Sequence, residues 1–282
     1  MVDAIIEFFS YGFVRNAIIA SALISILVGF IGTYVVSRRL VFLSGGITHA
    51  SFGGIGIAWY LGWNPLLGAA IFSIVSAVGI EYLTGEKRLR EDSAIGMLWA
   101  LGMALGVFFV FLTPGYAPDL MSYLFGNILT ISTSDNLMLL VLSLVTALFF
   151  TLFYYPILFL SFDEEYVKTQ HVKARVINFT LKILVALAIV LSIRAIGIIL
   201  VISLLTIPAN IANLFTKRFG NIIWLSALIC FGSTILGIIL SYRLNVPSGA
   251  TIVIALALIY LLTRFYFHLK GAIFRDSLRK GL

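Results

Sequence analysis

The sequence predicts an all-α integral membrane protein, a polytopic helical bundle of eight or nine transmembrane helices with one short re-entrant helix. Two observations predict it. Hydrophobic residues fill 61% of the 282 positions against 11% charged, with mean hydropathy +1.10, whereas a soluble domain carries about 25% charged residues. The apolar residues also come in long unbroken runs. Such runs suit helices of roughly 20 residues per crossing and not the alternation of a membrane barrel.

The runs fall at about 12–36, 48–62, 66–83, 94–112, 136–160, 178–195, 197–215, 220–241 and 249–268. Read together they make one transmembrane domain over 1–282. The second is short and glycine-rich, and residues 1–11 suit an interfacial amphipathic helix, so eight crossings stay open beside nine. The N-terminus carries Asp3 and Glu7 in place of a basic region and is read as mature. The single cysteine, Cys230, lies inside an apolar run and can form no internal disulfide.

Charge orients the bundle. Arg38 and Arg39, the Lys87–Arg90 group, Lys168 to Arg175, Lys217 and Arg218, and the basic tail from Arg264 fall at alternate breaks. With those breaks in the cytoplasm, all of the 19 Lys and Arg except Arg15, Arg194 and Arg243 lie inside or at the inner edge, as the positive-inside rule demands. The net charge of +7 then reflects topology and contact with anionic lipid, with no call for nucleic acid. Nine crossings put the N-terminus outside and the C-terminus inside.

Three stretches interrupt this pattern. Thr113 to Asp119 reads as an outer loop, and Leu120 to Leu129 is too short to span yet too apolar for a free loop, hence the re-entrant or packed helix. Pro208 sits inside a span, frees a backbone carbonyl and predicts a kink, which either lines a transport path or serves packing. Ser161-Phe162-Asp163-Glu164-Glu165 reads as a capping box, Ser161 with Glu164, opening a cytoplasmic helix within a loop of about 161–178. Its acidic start and basic end, Lys173 and Arg175, suit the helix dipole. The loop is either a handle for a cytoplasmic partner or a plain interfacial helix.

The chemically informative residue is His49, within Gly45-Gly46-Ile47-Thr48-His49-Ala50-Ser51-Phe52-Gly53-Gly54. An imidazole withdrawn from water is costly, so a membrane span that carries one uses it to bind or move something, or to bond between helices. Small residues around it let helices approach closely. The same logic applies to Ser25, Gly29 and Thr33, to Gly102 and Gly106, and to Ser233 and Gly237.

Four motifs then occur in order: Arg38-Arg39 leading into Gly46-Ile47-Thr48-His49-Ala50, Leu124 to Leu129, Phe162 to Glu165, and Gly197-Ile198-Ile199-Leu200 running to Ile207-Pro208-Ala209. Together they resemble the membrane-spanning permeases of zinc/manganese-type ABC transporters, over most of the chain from about Arg15. The resemblance implies a multi-pass protein of the bacterial cell membrane that imports divalent manganese, zinc or iron. It implies a homodimer of permeases, two cytoplasmic ATPase subunits that bind ATP, and an extracytoplasmic metal-binding protein. Phe162, Asp163, Glu164 and Glu165 would belong to the ATPase contact. No permanently bound cofactor is expected, and the chain lacks a Gly-x-x-x-x-Gly-Lys-Ser/Thr phosphate loop of its own.

One position departs from that family. Its members commonly carry an acidic residue four positions before the histidine, on the same helical face; here that position is Gly45. A carboxylate with an imidazole suits manganese or zinc, whereas a lone neutral imidazole holds a hard ion poorly. Asp119, Glu81, Met97 and Met103 are conceivable further contributors. Against that, Asp119 reads equally as a helix cap, Glu81 as a partner of Lys87, and the methionines as packing. Two His49 facing each other across a dimer axis would also enrich the site. A transit site should in any case be weak, so that the ion can leave. Two other functions compete: a permease for a metal chelate such as a siderophore or corrinoid, and a membrane enzyme or carrier that works alone.

Overall fold

The computed structural model describes residues 11–84, 89–114, 120–162 and 174–280. Among them nine helices are long and apolar enough to cross a bilayer. They are α1 (Gly12–Ser37), α2 (Val41–Tyr60), α3 (Pro65–Thr84) and α4 (Glu91–Leu112), then α6 (Thr133–Leu152), α8 (Ala174–Ile196), α9 (Ile198–Phe215), α10 (Phe219–Leu244) and α11 (Ser248–Lys280). Two shorter helices, α5 (Leu120–Phe125) and α7 (Tyr154–Phe162), complete the described set with a 3-10 turn at Ile128–Thr130. The chain is a multi-pass membrane protein.

α2 is the most enclosed span, and α4 and α11 the least. Large apolar side chains on the outer helices stand exposed, such as Phe111 at 83% and Tyr82 at 75%. Lipid in place of water makes that exposure favourable. Without a hydrophobic drive between helices, close backbone contact holds the bundle together.

Glycine supplies that contact where sequence spacing places it. A Cβ added at Gly102 would lie 2.5 Å from the Cα of Ala50 and 2.7 Å from its carbonyl oxygen, so α4 presses directly on α2. Gly53 meets Gly102 and Gly56 meets Gly106 along the same seam, while Gly54 meets Gly68 of α3. Gly29 abuts Ile223 and Ala227 of α10, and Gly237 abuts Ile252 of α11. α1 is not uniform: Val28–Gly32 widens into a π turn, where Gly32 packs against the Leu205 carbonyl of α9.

Two polar clamps fasten opposite ends of the bundle. At the end carrying Arg38 and Arg218, the Arg38 guanidinium donates to the Leu160 carbonyl at 2.6 Å and Tyr34 donates to Asn178 at 3.1 Å. Lys182 of α8 pairs with Glu81 of α3 at 3.1 Å. At the far end Arg194 pairs with Asp135 at 2.7 Å. There too Gly126 (φ +62) and Gly197 (φ +90) pack back to back, and Gly249 closes on Phe125 and Ile196. Both φ values lie where only glycine is comfortable. This junction explains the Leu124-Phe125-Gly126-Asn127 segment: Ile128 N–H donates to Ser248 Oγ at 3.1 Å.

Several expectations are corrected. α2 begins at Val41 and not near 48, because Gly45 and Gly46 lie against Ile202 and Ile95 and are held by packing. The single run expected over 136–160 is two helices, α6 and α7, broken at Phe153 ahead of Pro156. Ser161 is not a helix cap: it lies in the last turn of α7 and its hydroxyl donates to the Ile157 carbonyl at 2.8 Å. A capping box does occur at Ser132 and Asp135, opening α6. Glu81 takes Lys182 as its partner; Lys87 lies outside the described residues. Asp119, and Asp163, Glu164 and Glu165, also lie outside them.

Candidate substrate pathway around His49

His49 stands eight residues into α2, about 12 Å from its basic end at 1.5 Å per residue. Its ring lies flat on the indole of Trp99 from α4, with centroids 4.3 Å apart and planes 3° from parallel. Aromatic pairs in such contact are favourable beyond their buried area. The imidazole Nδ1 is buried and has no hydrogen-bond partner among the described residues. That observation counts against a purely structural interhelical hydrogen bond through this nitrogen, and it leaves hydrogen-bonding capacity unused in a place where unused polar atoms are costly. The ring itself is half-buried.

An open cavity of about 580 Å³ lies toward the basic end, lined by Arg39, Phe42, Gly45, Trp99, Ile202 and Asn210 among others. The turn that brings Arg39 there is a helix stop with Arg39 left-handed at φ +59. Leu40 N–H reaches back to Val35 O at 2.8 Å and Arg39 N–H to Val36 O at 3.2 Å, the bonding of a Schellman-type end. Asn210 is exposed and its Nδ2 donates to the Thr206 carbonyl at 2.9 Å, which leaves Oδ1 as an acceptor.

Gly45 stands close to α9. A Cβ built at Gly45 would meet the Ile202 side chain at 3.1 Å, tighter than ordinary contact. The room an acidic side chain would need is shared with an isoleucine from α9. His49 and Gly45 do lie on one face, one turn apart, as their spacing predicts.

Of the other expected contributors, Asp119 lies outside the described residues and the rest do not join them. Glu81 is engaged with Lys182, Met97 is exposed, and Met103 is partly buried against the core. Among the described residues no three of His, Cys, Asp and Glu come together as a metal site. Pro208 lies within α9, which continues as one helix to Phe215. Phe162 ends α7 and is 72% exposed. Trp99, Arg39 and Asn210 were not foreseen as part of this region. Trp99 comes fifty positions after His49, and an aromatic in an apolar run carries no signal of what it touches.

The profile of the ABC 3 transport family matches residues 10–267. The chain belongs to that family. It is 32% identical over 269 residues to the manganese transport system membrane protein MntC of Halalkalibacterium halodurans, covering 95% of this chain and 92% of that one. It is 37% identical over 263 residues to a membrane protein of Synechocystis, covering 93% and 94%. Its fold superposes on PsaBC from Streptococcus pneumoniae, solved in complex with Fab, with TM-score 0.84 at 27% identity, covering 93% of this chain and 95% of that one. As a member of the ABC 3 transport family, the chain is the membrane-embedded transport subunit of an ABC system, and the resemblance read from four ordered motifs holds.

Proposed function

We propose that this chain, as a single permease domain, forms the path of an ATP-driven importer for a divalent first-row metal ion. The observation that carries the reading is the near full-length match to a manganese transport system membrane protein. The half-buried imidazole at mid-span supports the same conclusion, since it offers one borderline ligand in a region where no three of His, Cys, Asp and Glu come together among the described residues. A single neutral nitrogen holds manganese or zinc weakly, which suits an ion that must be released.

Two copies of the chain would bring two His49 rings to one pathway. The basic end, where Arg38, Arg39, Lys217 and Arg218 cluster, is the cytoplasmic end by the positive-inside rule. Separate ATPase subunits would dock there on the loop that carries Asp163, Glu164 and Glu165, with exposed Phe162 at its edge. ATP would bind to those subunits. An extracytoplasmic binding protein would deliver the ion at the opposite face, where Asp119 is a candidate first contact.

The test is the total manganese, iron and zinc content of metal-limited cells lacking the protein, complemented with wild type or His49→Ala. One metal should fall in the deletion and recover only with wild type. No change in any metal would overturn the free-ion reading and favour a chelate.

A further inference from the structure

His49 is not among the residues that line the cavity. Gly45 lines the cavity, and His49 lies one turn farther from its mouth on the same face of α2. Trp99 belongs to both: it lines the cavity and stacks on the imidazole. A parallel contact at 4.3 Å covers one face of the imidazole, and Nδ1, whose bonding direction lies in the ring plane, is itself buried. Phe42, also a cavity residue, tilts against the indole at 6.3 Å and 50°.

The helix that carries Trp99 is closely packed beside the histidine. Gly102 of α4 is in backbone contact with Ala50, the residue after His49. With that contact kept, the indole leaves the imidazole by turning about its own side-chain bonds. Such a rotation is a local two-state event, and the electron-rich face of an indole is a surface along which a cation can pass.

We propose that Trp99 is the inner plug of the substrate path: stacked on His49 it separates the ion's ligand from the cytoplasmic cavity, and rotated away it joins them. This rests on the proposed passage of a cation at His49.

The test uses the complete transporter in inside-out membrane vesicles, with His49 itself kept as the reporter. Diethyl pyrocarbonate is added from the cavity side, and carbethoxylation of the peptide that carries His49 is followed by mass. With Trp99 present the reaction should be slow. Trp99→Ala should speed it about tenfold, the population shift available when an aromatic contact is lost, whereas Trp99→Phe should stay near the starting rate. Trp99→Leu, which fills apolar space without a stack, serves if the alanine variant does not assemble, and it too should be fast.

In parallel, manganese flux into proteoliposomes is measured without ATP on the same chains. A leak with Trp99→Ala alone supports the plug. Unchanged labelling in both the alanine and leucine variants overturns it, even where wild type transports manganese normally. Faster labelling with no manganese transport by wild type keeps the plug and removes the metal reading instead.

Discussion

Replacing Gly102 by alanine tests the seam that holds α4 to α2. Glycine to alanine inside a helix is intrinsically favourable by about 1 kcal/mol. Here the added methyl would meet three backbone atoms of Ala50, at 2.5, 2.7 and 3.0 Å. Carbon atoms rest about 3.5–4.0 Å apart, so the helices must part by nearly an ångström, and a backbone cannot turn aside as a side chain does. Overpacking of this kind costs about 1–3 kcal/mol. With so many rigid contacts the upper half of that range applies, and the net loss is about 1–2 kcal/mol. Gly96, six residues earlier in α4, is the control, because a Cβ there meets nothing within 4 Å. Gly96→Ala should be neutral or stabilising. The assay is thermal unfolding of the detergent-purified complex, with Gly102→Ala lower than wild type and Gly96→Ala not. Equal midpoints for the two variants would refute the close-packing argument, since the helix term is the same in both.

Other expectations follow from the polar clamps and the glycine corner. Glu81→Gln strands the Lys182 ammonium and should cost about 1–2 kcal/mol, less than for a fully buried pair because both ends are partly exposed; the Glu81→Met, Lys182→Met double variant should recover most of it in the same melt. Glu164→Lys with Glu165→Lys should reduce co-purification of the ATPase subunits, and unchanged association would remove those residues from the contact. Gly197→Ala, at φ +90 and packed on Phe125 and Gly126, should sharply lower folded yield by size-exclusion profile, while Gly62→Ala, at φ +70 with open space, should lower it far less.

The spans were legible because a bilayer imposes one demand, length of apolar chain, that composition displays directly. The small-residue seams were legible for a related reason: four-residue spacing puts Gly102 and Gly106 on one face whatever they touch. Tertiary pairing was not. Lys182 lies 101 positions from Glu81, and nothing local prefers it over Lys87. Ser161 shows the converse error, since a capping pattern in sequence is satisfied equally by a hydroxyl bonding back into the preceding helix. At the site, His49 was conspicuous as a costly group in an apolar run. The partners that give it meaning, Trp99 and the Ile202 side chain beside Gly45, come from other helices and look like ordinary lipid-facing or packing residues until the helices are placed.

The corner at Gly197 has a mechanical consequence. One residue separates α8 from α9, with its N–H tied to the Ile193 carbonyl at 2.6 Å, and Gly126 and Gly249 pin it against the segments that carry Phe125 and Ile252. The two helices therefore share a fulcrum and no slack. α8 runs 23 residues from Ala174, about 35 Å, so a tilt of roughly 5° at the corner sweeps its far end by about 3 Å. That far end adjoins the loop over 161–178, and α9 returns beside it to carry Ile202 and Asn210 into the cavity wall. With ATPase subunits docked at that loop as proposed, leverage at one face of the membrane would act on the wall of the cavity beside Trp99, without any contact between the ATPase and the pathway itself.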